Sequence, residues 1–258
     1  MAKVLAIISG KGGVGKTIIA INLALALNNY GRRVILVDGD VKKPDVSIYI
    51  GHDNNKPSLH DVLEGKIKIK DAAIVHSSGL KYIAGDKSYE RLSKNLLKNF
   101  KRAMLDEIKS EELIILDTPS GLSSDFKKVI SLADYAIIVT TPELAAVADA
   151  AKAIRICAEH KLKIYGAIIN MKKGIEGELG QKEIESVLGV KVLGLIPEDR
   201  DITHSGRMEL PLMYSHPDSK SADKFKEAAA RFLGKAYEEK QIRSDKLFDY
   251  MMKKLGLR

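Results

Sequence analysis

The chain has 258 residues, of which 45% are hydrophobic and 29% charged, and its only cysteine is Cys157. This length allows one large α/β domain with a full core, and the composition is that of an ordinary globular protein. A lone cysteine excludes an intramolecular disulfide and argues against a thiolate metal cluster within one chain. No apolar run has the length of a membrane span, and no secretion signal is apparent at the start, so we expect a cytoplasmic protein.

The net charge of +8 favours an anionic partner such as a nucleotide, a nucleic acid or an anionic membrane surface. Lysines occur along the whole chain, however, with Lys–Lys pairs beginning at positions 42, 127, 172 and 253. Because the positive charge is not gathered in one arm, solubility explains it equally well. Charge therefore does not choose among the partners.

Short apolar runs alternate with helical patterns along the chain. The predicted strands are Val4–Ile8, Arg33–Val37, Leu80–Ala84, Leu113–Leu116, Tyr135–Thr140, Ile164–Ile169 and Val192–Ile196. The predicted helices are Lys16–Asn28, Tyr89–Ile108, Glu143–His160, Gln181–Leu188 and Ala222–Glu239. Because the strand runs are apolar on both faces, they suit parallel strands that are covered by helices. The pattern predicts a single α/β domain built on an open, doubly wound, mainly parallel β-sheet with helices on both faces, and with ligands at the carboxyl ends of the strands.

A glycine-rich stretch, residues 10–17, lies between the first predicted strand and the first predicted helix. It reads GKGGVGKT and matches the complete P-loop pattern G-x-x-x-x-G-K-[ST]. Glycines there allow backbone N–H groups to converge on phosphate oxygens, and the helix N-terminus adds partial positive charge. We expect Lys16 to neutralise the β- and γ-phosphates and the Thr17 hydroxyl to bind Mg²⁺. The alternative, a tight turn with incidental lysines, does not account for the full motif in this setting.

An ordinary P-loop does not require Lys11. The sequence KGGVGKT that begins there resembles the deviant Walker A motif of the MinD/ParA family of ATPases. In that family the early lysine reaches across a nucleotide-sandwich dimer to the partner's phosphates, so that positive charge arrives in trans as it does with an arginine finger. The resemblance implies ATP and Mg²⁺ as cofactors, ATP-dependent homodimerisation, and slow ATP hydrolysis without an activating partner. The family usually has Thr or Ser where this chain has Ile18. We expect this difference to weaken nucleotide binding at most, and not to prevent it.

Two acidic strand ends match the same family. The segment VILVDGD ends in Asp38 and Asp40, and the resemblance implies that Asp38 is a Mg²⁺ ligand and that Asp40 orients or activates the attacking water in a first switch region. The segment LIILDTPSG, residues 113–121, resembles the Walker B strand and second switch. There Asp117 would hold Mg²⁺ through water, and the Gly121 backbone would approach the γ-phosphate.

Further segments follow in the family's order. The segment VTTPELAAVADA, residues 139–150, resembles the strand-to-helix connection of MinD-like members. Asn170 ends a strand where the family recognises adenine, and Pro197 falls where the family's chain passes the adenine. No N-K-x-D motif follows Asn170, which argues against GTP. The resemblance covers about residues 2–233, and residues 217–226 favour MinD-like members over plasmid-partition members. As a whole the chain resembles MinD-like members of the archaeal type.

Taken singly, acids at strand ends are also explained as helix caps or solvated turns, and Asn170 as a turn residue. Together and in order they indicate one nucleotide site. The expected catalytic residues are Lys11, Lys16 and Asp40, and the expected metal ligands are Thr17, Asp38 and Asp117. The expected nucleotide contacts are Gly10, Gly12, Gly13, Val14, Gly15, Lys16, Thr17, Ile18, Gly121, Asn170 and Pro197.

Other chemistries find little support in the sequence. The six histidines show no H-E-x-x-H spacing, and the C-x-x-H formed by Cys157 and His160 is better explained as core and rim positions of an amphipathic helix. The related iron–sulfur scaffold ATPases carry a C-x-x-C pair near the C-terminus, which this chain lacks. We therefore set iron–sulfur assembly aside.

The segment 243–258 is predicted to be an appendage to an ATPase domain that spans residues 1–242. Lysines flank one face of a short predicted helix in this segment. The apolar residues on that face are Leu247, Phe248, Met251, Met252 and Leu255. This pattern suits an anionic membrane surface and resembles the terminal membrane-targeting helix of MinD. Packing of the same face on the domain or on a partner subunit is the alternative.

The resulting prediction is a MinD-like ATPase that is cytoplasmic and, when ATP-bound, peripheral at the inner face of the cell membrane. It would position a division site or another localised assembly, together with an unidentified activating or cargo protein. One alternative is a ParA-like ATPase whose ATP dimer binds DNA nonspecifically. Another is a regulator that binds ATP but barely hydrolyses it, and the intact Asp38 and Asp40 argue against that possibility.

Overall fold

The computed structural model describes residues 2–53, 55–86 and 111–237. Within these ranges one sheet contains the strands β1 (Lys3–Ile8), β2 (Val34–Asp38), β3 (Ile74–Val75), β4 (Lys81–Ile83), β5 (Leu113–Asp117), β6 (Tyr135–Thr140), β7 (Lys163–Lys172) and β8 (Val192–Pro197). Their order across the sheet is β3-β4-β2-β5-β1-β6-β7-β8. The described pairings are parallel except that of β3 with β4. The predicted open, mainly parallel α/β fold is confirmed.

Helices join the strands on both faces of the sheet. They are α1 (Lys16–Asn29), α2 (Val46–Tyr49), α3 (Leu59–Leu63), α4 (Ser124–Ile130), α5 (Leu144–Glu159), α6 (Gln181–Leu188), α7 (Arg200–Arg207), α8 (Leu212–Ser215) and α9 (Lys220–Phe232), with a 3₁₀ turn at Ile69–Ala72. The side chains of successive β1 residues pack into hydrophobic cores on opposite faces of the sheet, because side chains alternate between the two faces of a strand. The central strand is thus covered on both sides.

Helix α1 is buried around its whole circumference. Its residues from Ile19 to Leu27 are almost inaccessible, and the helix packs against the sheet on one side and against α8 and α9 on the other. The polar residue Asn22 is satisfied there, since its Nδ2 donates to the Ile18 carbonyl (2.9 Å) and its Oδ1 accepts from the Met213 N–H (3.0 Å). The helix that carries the glycine-rich loop is therefore held firmly within the core.

The last predicted helix differs from the observed one. It begins at Lys220, where the Ser219 side chain accepts the Ala222 N–H, and it ends at Phe232, earlier than predicted. Gly234 adopts a φ of 66°, and the Lys235 N–H donates to the Ala230 carbonyl at 2.9 Å. A left-handed glycine with this bond pattern terminates a helix, although the apolar periodicity continues.

Some predictions lie outside the described residues, namely the helix at 89–108, the domain boundary at 242 and the appendage at 243–258. The short strand β3 and the helices α2, α3, α4, α7 and α8 were not predicted. Each has only two to eight residues, and a periodic pattern in so short a segment is ambiguous, although the eight residues of α6 were recognised. Among the helices that the structure describes, none has both the length and the apolar character needed to cross a membrane.

Cys157 offers a test of the packing between α5 and the sheet. Its side chain is inaccessible, and burial raises the pKa of its thiol to about 11. Because the thiolate is the reactive form, we expect the native protein to react very slowly with a disulfide reagent such as DTNB at about pH 8. Unfolding in guanidinium should release one reactive thiol per chain. Rapid reaction of the native protein would contradict the burial of this helix face.

Candidate nucleotide site

The glycine-rich loop leaves β1 and turns directly into α1. Gly13 and Gly15 have φ values of 80° and 83°, in the left-handed region that favours glycine. A Cβ atom on Gly15 would lie 2.2 Å from Asn170 Nδ2, and one on Gly10 would lie 2.0 Å from the Asp149 carbonyl oxygen. The loop is therefore pressed against the end of β7 and the first half of α5, where a side chain would not fit.

The N-terminus of α1 is left open for an anion. Gly15 occupies the capping position, so no side chain caps this end, and the first turn contains no acidic residue. The unpaired N–H groups of a helix N-terminus carry partial positive charge and bind phosphate readily. The local backbone thus suits the phosphate group that the sequence predicts.

A buried carboxylate holds the two functional side chains of the loop. Asp117 ends β5, beside β1, and its Oδ1 lies 3.0 Å from Lys16 Nζ, while its Oδ2 accepts the Thr17 hydroxyl at 2.6 Å. Lys16 is 8% exposed and Asp117 is 1% exposed. The structure therefore brings together the predicted phosphate-binding lysine, the predicted metal-binding hydroxyl and the predicted Walker B acid.

Two further acids lie at the end of the neighbouring strand β2. Asp38 is fully buried and stands opposite Asp117 in the strand register. Its carboxylate accepts the N–H groups of Val46 (3.1 Å) and Asp40 (3.2 Å). Burial, and then the nearby Asp117, hold the pKa of Asp38 well above its usual range.

Asp40 lies on the loop that follows Asp38. Burial raises the pKa of Asp40, and the hydrogen bond from the Lys43 N–H to its Oδ1 (3.1 Å) opposes this effect. Crowded carboxylates favour a bound cation, because a positive charge stabilises their ionised forms. Among the described residues no group of three or more His, Cys, Asp or Glu is arranged to hold a metal ion. Mg²⁺ commonly binds through one or two carboxylates together with substrate phosphates and water, which this donor set fits.

Asn170 supports the glycine-rich loop, a role that the sequence did not predict. Its side chain is 3% exposed, and its Nδ2 donates to the carbonyl of Val14 at 2.9 Å. Its Oδ1 is buried without a hydrogen-bond partner among the described residues. The predicted contact of Asn170 with adenine stays a prediction.

Three other predicted residues lie around this edge of the sheet. Pro197 ends β8 and is paired with Lys172 at the end of β7, beside Asn170. Gly121 has a φ of 77° in the connection from β5 to α4. Ile18 is half-buried in the first turn of α1, where a polar residue is usual in the family that the motif resembles.

Lys11 lies at the surface, unlike Lys16. Its Nζ is 3.5 Å from Glu143 Oε2, and the two side chains are 47% and 64% exposed. Exposed ion pairs of this kind contribute at most about 1 kcal/mol, so Lys11 can exchange its partner easily. Glu143 was not singled out from the sequence, because its meeting with Lys11 depends on the neighbouring positions of β1 and β6.

Comparison with known proteins identifies the family. Residues 1–233 match the ParA family model, which is described as NUBPL iron-transfer P-loop NTPase. The chain belongs to this family of P-loop NTPases. Its MinD-like character follows from the septum site-determining protein MinD of Bacillus subtilis, which is 31% identical over 250 residues, covering 92% of this chain and 91% of that protein.

A second relative and a solved structure are also similar to this MinD/ParA ATPase. An uncharacterized ATP-binding protein of Methanocaldococcus jannaschii is 36% identical over 241 residues, covering 92% of this chain and 90% of that protein. The structure of MinD from Pyrococcus horikoshii in complex with Mg-ADP has a TM-score of 0.81 at 29% identity, covering 90% of this chain and 96% of that one. The predicted family and its fold are confirmed.

Lys16→Ala should abolish ATP binding. The loop would lose its buried ammonium group, and charge-assisted hydrogen bonds to phosphate are among the strong ones. We expect calorimetry to show an affinity reduced by at least about a hundredfold. Lys182→Ala, at an exposed position of α6, is the control and should bind ATP normally. Parental affinity in a folded Lys16→Ala protein would contradict this site.

Proposed function

We propose that this protein is a MinD-like ATPase that dimerises over ATP and attaches reversibly to an anionic membrane surface. Slow, Mg²⁺-dependent hydrolysis then ends each period of attachment. In this way the protein positions a division site or another localised assembly. The observation that carries the proposal is the contact of Lys16 and Thr17 with Asp117 at the N-terminus of α1, beside the acids that follow β2.

The residues of the chain have distinct tasks in this proposal. Backbone N–H groups of the glycine-rich loop and the Lys16 ammonium bind the phosphates, with the expected contacts at Gly12, Gly13 and Gly15. Thr17, Asp38 and Asp117 would hold Mg²⁺. The ion, when bound, neutralises charge that develops on the phosphates during transfer.

Asp40 is proposed to orient the attacking water. It is less buried than Asp38, and its raised pKa makes the carboxylate a better proton acceptor. The Lys43 N–H of the same loop holds its carboxylate. Asn170 and Pro197 remain the proposed adenine contacts, and the Gly121 backbone remains the proposed γ-phosphate contact.

Lys11 is proposed to act across the dimer. It is exposed at the rim of the loop, and its weak pairing with Glu143 leaves it available to a partner's phosphates. Positive charge would then complete the site only when two ATP-bound subunits meet, and this arrangement links dimerisation to hydrolysis.

Lys11→Ala should bind ATP but stay monomeric. The phosphate loop keeps Lys16, whereas the charge supplied across the interface is lost. Light scattering on the eluate of a sizing column, with and without ATP, measures this result, and Lys182→Ala should dimerise normally. A normal ATP-dependent dimer of the Lys11→Ala protein would contradict the deviant-motif interpretation.

The membrane part of the proposal depends on the tail, whose sequence places five apolar residues on one helical face. A single short helix of this kind binds a membrane only weakly. Two tails carried by one ATP dimer bind together and multiply the affinity. We therefore expect membrane binding to require ATP, anionic lipid and the tail.

Deleting residues from Lys246 onward should remove binding to vesicles that contain anionic lipid and leave basal ATP hydrolysis intact. Co-sedimentation with ATP, with ADP and without nucleotide measures the binding, and neutral vesicles are the matched control. The melting temperature should change little, because the tail is proposed to be an appendage. A sharp fall in melting temperature would indicate that the apolar face packs on the domain.

A second candidate, with which the net charge of +8 is equally compatible, is a ParA-like ATPase whose ATP dimer coats DNA. Nonspecific DNA binding of this kind falls steeply as salt is added, because counterions are released. ATP-dependent DNA binding with that salt dependence, together with no affinity for anionic vesicles, would favour it over the membrane proposal.

A further inference from the structure

The loop that carries Asp40, residues 39–45, is held from two sides. On its inner side Asp38 accepts the N–H groups of Asp40 and Val46. On its outer side the loop meets residues 84–86, which follow β4. A Cβ atom on Gly85 would lie 2.4 Å from Pro44 Cβ, so the two segments are in direct contact.

His60 joins these two segments. It lies on α3, is 1% exposed, and has its Nε2 3.0 Å from the carbonyl oxygen of Val41. Its Nδ1 lies 2.9 Å from the backbone N of Asp86. A carbonyl can only accept a hydrogen bond and a backbone N–H can only donate one. The two bonds therefore require the neutral ring with its proton on Nε2.

The helix that carries His60 is itself fixed to the end of β4. The Leu59 N–H donates to the Ala84 carbonyl at 2.8 Å. Ser58 and Asp61 form a capping box at the start of α3, and Leu59 and Leu63 are buried in the core. The ring of His60 therefore reaches the Asp40 loop from a rigid base.

Val41 is the residue next to Asp40, and its side chain is also buried. Asp40 therefore lies between two anchors, Asp38 on one side and the bond from His60 to the Val41 carbonyl on the other. Without the second anchor the loop would still contact residues 84–86 through Pro44 and pair Lys42 with Asp125, but the backbone next to Asp40 would lose its outer hydrogen bond. Misplacement of a reacting group by about 1 Å can lower a rate by about a hundredfold.

We propose that His60 is a positioning residue for ATP hydrolysis, which holds Asp40 in place through the backbone of Val41. The inference rests on the proposed role of Asp40. His60 is not assigned a contact with nucleotide or with the reacting water. The competing explanation is a buried histidine that serves stability alone.

The test compares three variants at His60 by kcat, KM for Mg-ATP and ADP affinity. His60→Phe keeps a ring of similar size but loses both hydrogen bonds. We expect its kcat to fall about tenfold to a hundredfold while its ADP affinity stays within about threefold of the parent. His60→Asn keeps an acceptor near Asp86 but is too short to reach Val41, so it should be slow as well. His60→Gln carries its amide donor and acceptor one methylene farther from the backbone than Asn does. Because this length allows it to reach Val41, it should recover most of kcat.

A double variant separates positioning from stability. If His60 acts through Asp40, His60→Phe should cause no further loss of kcat in an Asp40→Ala background. A further loss of similar size in that background would overturn the proposal, as would an unchanged kcat in both His60→Phe and His60→Asn. If His60→Phe does not fold, the Asn and Gln variants, which differ by one methylene, carry the same comparison. His76→Phe, in the turn after β3, is the matched control and should leave kcat unchanged.

The single variant Asp40→Ala distinguishes the two proposals. Parental hydrolysis in that variant would remove the assigned role of Asp40, and the positioning proposal would fail with it. Loss of hydrolysis in Asp40→Ala together with a normal kcat in the His60 variants would leave the proposed function standing and overturn only the role of His60.

Discussion

The pairing of Asp117 with Lys16 and Thr17 is the interaction on which the site depends. It joins the end of β5 to the start of α1, and all three side chains lie at the base of the glycine-rich loop. Removing one partner of a buried ion pair typically destabilises a protein by about 3–5 kcal/mol, because the other charge stays buried without compensation. The same contact therefore organises the candidate phosphate site and joins the sheet to helix α1.

The order of the strands explains why this pairing is possible. β1 lies at the centre of the sheet between β5 and β6, and β2 lies beside β5. Parallel strands bring their carboxyl ends to one edge, so that Asp38, Asp117 and the glycine-rich loop meet although they are far apart in sequence. Close packing then requires glycine at positions 10 and 15, where a Cβ would overlap Asp149 and Asn170.

The site combines firmly held groups with one that is free to move. Lys16 and Asp117 are buried, whereas Lys11 is exposed and only weakly paired. Burial and the nearby charge of Asp117 raise the pKa values of Asp38 and Asp40, and such crowding of carboxylates suits a site that would be completed by Mg²⁺. An exposed Lys11 suits a group that would act on a partner subunit.

The sequence by itself determined the fold class and the main parts of the site. Alternating apolar strands and helical patterns, the motif from Gly10 to Thr17, and acids at the ends of β2 and β5 are local signals, so they could be identified before the chain was folded. Only the tertiary structure decided that Asn170 holds the Val14 carbonyl, that Lys11 pairs with Glu143, and that His60 bridges Val41 and Asp86. These contacts join residues from different strands and loops, and their existence depends on strand order and close packing, which no local pattern specifies.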